Sequence, residues 1–377
     1  MRIQTNTNSS FPSQVVSEAE KSSLDYGIQV GRAIEGEWFQ EGRAGNRYVQ
    51  SYATFHRLRL YARGEQSVQK YKDELSINGD LSYLNLDWKP VAVISKFVDI
   101  VVNGMANKSY DITTFAQDPF SVKSRTDYAT AIEQDMNTKP MLENIKQELG
   151  MDMARTGNLE DLPESKEELD VHMQMTYKQN VEIAEEEVIN NVLSFNKYDQ
   201  TKARIAYDLT VLGIGASKTR FDKSEGIKID YVDPARIVYS YTEDPNFEDI
   251  YYIGEVKAIS IPELKKQFPD ISDEELQRIQ NMPGNSQYVT GWANYDQNTV
   301  QVMYFEYKTY VDQVWKIKKT DQGLEKTLEK ADTFNPPEND NFDRVSRSIE
   351  VLYTGAKVLE NNYMLEWKMA ENMTRPT

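Results

Sequence analysis

Apolar residues spaced three and four apart predict helices over residues 17–35 and 44–62, separated by Gly42 and Gly45. A turn is expected at Asp80–Asn85, and Asp87-Trp88-Lys89-Pro90 reads as the opening of a further helix. Pro90 suits a first helical position and Asp87 can cap nearby. The apolar face of that helix is Val93, Ile94, Phe97, Val98, Val101 and Val102, and Gly104 is placed to stop it in the left-handed conformation. A short strand follows at Tyr110–Phe115, then a helical pattern over 124–149, interrupted near Thr138–Pro140.

Ser165-x-x-Glu168 has the form of a capping box, and behind it Leu169, Met173, Tyr177, Ala184, Val188, Val192 and Phe195 keep one face apolar. The spacing predicts one helix of about eight turns, with Val188 on its buried side. After a second helix, Thr201–Leu212, the period shortens to two. Lys218–Phe221, Ile227–Tyr231, Arg236–Tyr241 and Tyr251–Ala258 read as strands, with turns at Asp233-Pro234 and Asp244-Pro245. Ile261-Pro262-Glu263 starts a helix that ends before Pro269, and a further turn or two is expected at Asp273–Gln280. Thr299–Tyr310, Gln313–Lys319, Ser348–Leu352 and Lys357–Leu359 are strand-like, with a Pro/Asn/Asp-rich loop at Phe334–Asp343. Tyr363, Leu365 and Trp367 continue the alternation, and the chain is expected to be part of a longer protein.

These elements make an α+β fold. Four segments are expected: an N-terminal arm and helix (1–40), a helical and α/β region (41–298), a β-rich region (299–360) and the start of a continuing segment (361–377).

Composition narrows the chemistry. With 377 residues, 39% of them hydrophobic, and a net charge of −17, the chain is globular and acidic in character. The acidity is local: residues 111–200 carry 8 basic against 19 acidic side chains. Cysteine is absent, which removes disulfides, thiolate nucleophiles and cysteine-ligated metals, and His56 and His172 are the two histidines. The longest apolar stretches fall short of the roughly 20 residues a bilayer span needs, and the polar start lacks a secretory core. A cytoplasmic protein, or one packed into a particle assembled there, is expected.

Against the acidity stands a basic stretch from Arg43 to Lys72, in which Arg57, Arg59 and Arg63 are interleaved with Tyr48, Tyr52, Phe55, His56 and Tyr61. Charge with stacking could grip a polyanion. The alternative is that Tyr48, Tyr52, Phe55, Leu58 and Ala62 are core while the arginines pair with an acidic neighbour. Gly213-Ile214-Gly215-Ala216-Ser217-Lys218-Thr219 resembles a phosphate loop, but its glycines close a helix and precede a strand, the reverse of what phosphate binding requires. His56 and His172 read as packed or flanking residues. No catalytic residue, metal ligand set or cofactor site is expected, and the chain is read as not an enzyme.

One family resemblance stands beside these readings. Leu60-Tyr61-Ala62-Arg63-Gly64-Glu65-Gln66, then Asn85-Leu86-Asp87-Trp88-Lys89-Pro90 leading through Ile94, Lys96, Phe97, Val98, Asp99, Val101 and Val102 to Gly104, resemble the start of a bacteriophage portal protein. The resemblance is closest to portals of crAss-like and other short-tailed phages. Leu212-Gly213-Ile214-Gly215, the strands leading to Val232-Asp233-Pro234, and Asp244-Pro245 with the strand and helix after it agree with it.

The resemblance implies a helical N-terminal and wing-like region followed by a β-rich stem or clip. It implies a dodecameric ring at one capsid vertex, serving genome packaging, ejection and tail attachment. Its partners would be further copies of itself, the major capsid protein, the terminase motor, head-tail adaptors and double-stranded DNA in the lumen, with no membrane and no cofactor. Localisation would be the virion. Arg57, Arg59 and Arg63 become candidate DNA or subunit contacts, and Asn335, Asn339 and Asp340 candidate adaptor or motor contacts. The 23 tyrosines would supply amphipathic contact area, and net acidity suits a conduit that must not hold DNA. Another virion component such as an adaptor or scaffold, or an acidic hydrolase, is the alternative.

Overall fold

The computed structural model describes residues 10–39, 41–42, 45–65, 67–76, 87–89, 91–108, 111–150, 162–175, 177–222, 226–281, 299–320, 323–335, 342–359 and 363–370. The predicted turn at Asp80–Asn85 and Pro90 lie outside them. Two compact units are formed: one from Met1–Ile100, Tyr207–Ala216 and Val232–Thr377, the other from Val101–Ala206 and Ser217–Tyr231.

In chain order the elements are α1 (Glu18–Lys21), α2 (Leu24–Phe39), the short strands β1 (Glu41–Gly42) and β2 (Gly45–Asn46), α3 (Arg47–Arg63), α4 (Gln69–Leu75), α5 (Val93–Ala106), α6 (Pro119–Asn137), α7 (Lys139–Leu149), α8 (Lys166–Met175), α9 (Asn180–Phe195) and α10 (Tyr198–Leu212). There follow β3 (Ala216–Asp222), β4 (Gly226–Val232), a 3-10 turn at Pro234–Arg236, β5 (Ile237–Tyr239), β6 (Tyr252–Ser260), α11 (Ile261–Gln267), α12 (Asp273–Gln280), β7 (Thr299–Thr320), β8 (Gly323–Lys330), β9 (Phe342–Val358) and β10 (Met364–Met369). The mixture is α+β, as expected.

The first unit is built on an antiparallel sheet in the order β10-β9-β7-β6-β5, with β8 beside β7. Alternation along β7 sorts its side chains between two cores. Met303, Phe305 and Tyr307 join Val30, Ile34 and Trp38 of α2, together with Tyr252, Tyr353 and Trp367. Val300 and Val302 point the other way, into a cluster with Leu264, Leu276 and Ile279 of α11 and α12. Helix α2 approaches its face closely because Gly27 and Gly31 are bare: a Cβ at Gly27 would lie 2.5 Å from Trp367 and one at Gly31 2.6 Å from Lys357. Lys357 is fully buried there and ion-paired with Glu35 of α2.

The strands predicted separately at Thr299–Tyr310 and Gln313–Lys319 are one 22-residue strand, and those predicted at Ser348–Leu352 and Lys357–Leu359 fall in one 17-residue strand that ends at Val358. Continuous pairing from Val302↔Val358 to Lys318↔Phe342 carries both through positions where the polar spacing suggested breaks. Strand β8 was not anticipated, because Gly323–Lys330 lacks apolar alternation and is held by its ladder to Val314–Thr320.

In the second unit the expected single helix over Ser165–Phe195 is two. Helix α8 stops at Met175 and α9 restarts behind Gln179, whose side chain and that of Glu182 form a reciprocal capping box. Glu182 is 1% exposed and also accepts from the backbone N–H of Ala116 (3.0 Å) and from Arg125 (3.1 Å). Burial works against its charge, but these hydrogen bonds and Arg125 outweigh it and hold the carboxyl pKa below its ordinary value. The break turns the apolar pattern, leaving Val188 57% exposed rather than buried. At Ser165 half of the predicted box forms: Ser165 accepts from the Glu168 N–H, while the Glu168 carboxylate takes the N–H of Glu164.

Three further expectations are corrected. Residues 111–115 form no strand, and Thr114 is instead bound to Glu186 and to the Glu182 carbonyl. Helix α5 begins at Val93, and the Asp87 carboxylate accepts from the Lys89 N–H rather than capping it. Gly104 lies within α5, which runs on to Ala106.

Candidate functional site

Two places gather the residues singled out in the sequence: the inner face of α3 and the arm formed by the far ends of β7, β8 and β9.

Helix α3 starts at the cap Asn46, whose side chain accepts from Tyr48 N–H, and ends at Gly64 with φ +76°. Tyr48 and Ala62 are buried. Arg59 turns toward the same side and binds two carboxylates: Nη2 lies 2.9 Å from Asp208 of α10 and 2.8 Å from Asp233, with Nη1 3.1 Å from the second Asp233 oxygen. Asp233 is fixed in turn, because its carboxylate caps the Pro234–Arg236 turn by accepting from the Ala235 N–H at 3.0 Å. Burial opposes the Arg59 charge, yet the hydrogen bonds to Asp233 and Asp208 prevail and raise the guanidinium pKa. The same contacts outweigh burial at Asp233 and lower its pKa. Arg59 is thus engaged by acidic neighbours within the chain, while Arg57, Arg63 and His56 are exposed on α3. The Arg59 acceptors, Asp208 and Asp233, were not singled out in advance; the Asp233-Pro234 turn was the available signal.

Beyond Val311 and Ile349 the sheet narrows to three strands, β8-β7-β9. The hairpin Thr320↔Gly323 marks its far end. From the end of β8 the chain returns over one face. The Asp332 carboxylate accepts from the Glu18 N–H (2.6 Å) and its carbonyl from Arg344 (3.0 Å). Lys316 Nζ stands 3.7 Å from the ring centroid of Phe342 and 5.9 Å from that of Phe334. Asn335 is exposed in this return segment, level with Lys316 rather than at the hairpin; Asn339 and Asp340 lie outside the described residues.

Among the described residues no group of His, Asp or Glu side chains could hold a metal ion, and no helix is long and apolar enough to cross a membrane. The glycine-rich segment lies where α10 ends: Gly213 has φ +80° and β3 follows from Ala216, so the loop opens a strand and not a helix.

A helix pair leading into a hairpin, an Asp-Pro turn and a long-stranded antiparallel sheet is the order of elements over the second half of the chain. Residues 182–367 match the phage P22-like portal protein family. The match spans just under half of the chain. It runs from the capping Glu182 of α9 to Trp367 of β10, so Asp208, Asp233 and the whole arm lie inside the portal-like segment while α3 precedes it. No curated protein matches the chain.

Proposed function

We propose that this chain is the portal subunit of a phage head, assembling into a dodecameric ring at one capsid vertex through which the genome is packaged and later ejected. The single observation that carries the reading is the family match over 182–367. It is supported by the sequence likeness upstream, at Leu60–Gln66 and Asn85–Gly104, which favours crAss-like and other short-tailed phages. The ring would contact the major capsid protein, the terminase motor and head-tail adaptors, with double-stranded DNA in its lumen.

Within this reading the segments 41–298 and 299–360 serve as wing-like and stem or clip-like regions. Arg57 and Arg63, exposed on α3, are available to a neighbouring subunit or to DNA, and Arg59 holds α3 in place for them. The stretch of sequence between β8 and β9, with Asn335, Asn339 and Asp340, is the proposed adaptor or motor contact. Work for DNA movement comes from a separate ATPase. Assembling heads with and without this chain tests the proposal: DNA-filled heads should require it, and heads that fill equally well without it would refute the portal role.

A further inference from the structure

The arm leaves two strand edges without a ladder partner among the described residues. Strand β8 pairs with β7 alone, and β10 covers β9 at Tyr353–Lys357 but not over Phe342–Val351. An uncovered edge presents a row of N–H and C=O groups that templates another strand. The two open edges are of similar length, since β8 has 8 residues and the uncovered part of β9 opposite it begins at Phe342.

Both β8 and β9 run antiparallel to β7, so they are parallel to one another. Copies related by rotation about an axis lying along the arm would therefore bring the β9 edge of one against the β8 edge of the next with the strands parallel. Each copy offers one edge of each kind. Such a contact is heterologous and closes when the rotation closes.

The side chains at the two edges are complementary. The register places Glu329, Trp315 and Val345 in one row across the arm, with Gln313 and Arg347 in the row on the same face. At the β9 edge Arg347 is exposed and has no ion pair among the described residues. At the β8 edge Glu329 is exposed, its carboxylate accepting from Gln313 Nε2 at 3.0 Å. A neighbouring copy would set Glu329 beside Arg347 and cover Val345, which is 46% exposed.

We propose that β9 of one copy and β8 of the next pair as parallel strands, joining the arms into one continuous sheet around the assembly. The proposal rests on the ring-forming reading above and names one contact between its copies.

The chain has 0 cysteines, so introduced thiols report cleanly. Thr327→Cys/Val345→Cys and Glu329→Cys/Val345→Cys place thiols at opposite edges of one arm. Within a single chain the two positions are separated by β7, two strand spacings of about 4.8 Å, beyond disulfide reach. Mild oxidation of assembled protein should give a ladder of covalent multimers from at least one pair and none from the single-cysteine variants. In the Thr327→Cys/Val345→Cys background, Arg347→Glu should weaken that ladder, and adding Glu329→Arg should restore it. Rings that stay intact by native mass spectrometry while neither pair cross-links would overturn the strand pairing and leave the portal reading standing. Failure of the chain to form any ring would overturn both.

Discussion

Replacing Glu35 by leucine strands a cation inside the first unit. The Lys357 side chain is 0% exposed and the Glu35 side chain 16%, so the lysine cannot reach water when its counter-ion is removed. Breaking a buried pair from one side costs about 3–5 kcal/mol, because the remaining charge is left without compensation. Lys357→Met should be milder, about 1–2 kcal/mol, since a residual Glu35 carboxylate keeps some access to solvent and methionine fills similar volume. The double variant Glu35→Leu/Lys357→Met should recover most of the loss, so the two changes should be strongly non-additive in a double-mutant cycle. Urea titration followed by the fluorescence of the buried Trp38 and Trp367 measures each corner of the cycle. Burial holds the Lys357 pKa below its ordinary 10.5, against the pull of Glu35, so the folded state binds this proton less tightly than the unfolded chain. Stability contributed by this site therefore rises with pH from the folded pKa towards 10.5, and over a wider pH range once Glu35 is gone. Equal losses from the two single variants, or additivity in the double, would refute the reasoning.

The remaining expectations are separate from that pair. Gly27→Ala puts a methyl group 2.5 Å from the Trp367 ring and should cost about 1–3 kcal/mol by thermal denaturation. Arg59→Gln leaves Asp208 and Asp233 facing each other without their cation and should cost about 1–3 kcal/mol, whereas Arg57→Gln and Arg63→Gln, at exposed sites, should stay within about 0.5 kcal/mol. The stability that Glu182 supplies is present above its ordinary 4.5 and is lost as pH falls through its lower folded pKa, so Glu182→Gln should flatten the acid limb of the stability curve. Deleting residues 335–341 should leave rings intact in electron micrographs but weaken binding of a motor or adaptor protein measured by co-sedimentation.

What could be read in the sequence was whatever local chemistry decides. The break between α6 and α7 at Thr138, the start of α11 at Ile261-Pro262 behind Ser260 and the alternation of Met364–Met369 all follow from residues within one or two turns of themselves. Non-local choices were hidden. The apolar period runs unbroken across Tyr177, so nothing in the spacing showed that Gln179 and Glu182 would cap a new helix there. Strand β8 reads as a polar segment until β7 is placed beside it. Arg59 looked like one of several surface arginines because its acceptors lie 149 and 174 residues away. The order of strands, which leaves β8 and β9 as open edges, is a property of pairing that no single segment carries.

The central claim is that the chain works as a ring. Native mass spectrometry of the purified protein at physiological salt tests this most directly. A closed assembly is predicted, with a mass near a dodecamer of the 43.5 kDa subunit and no ladder of open intermediates. A monomer or simple dimer across the accessible concentration range would contradict it.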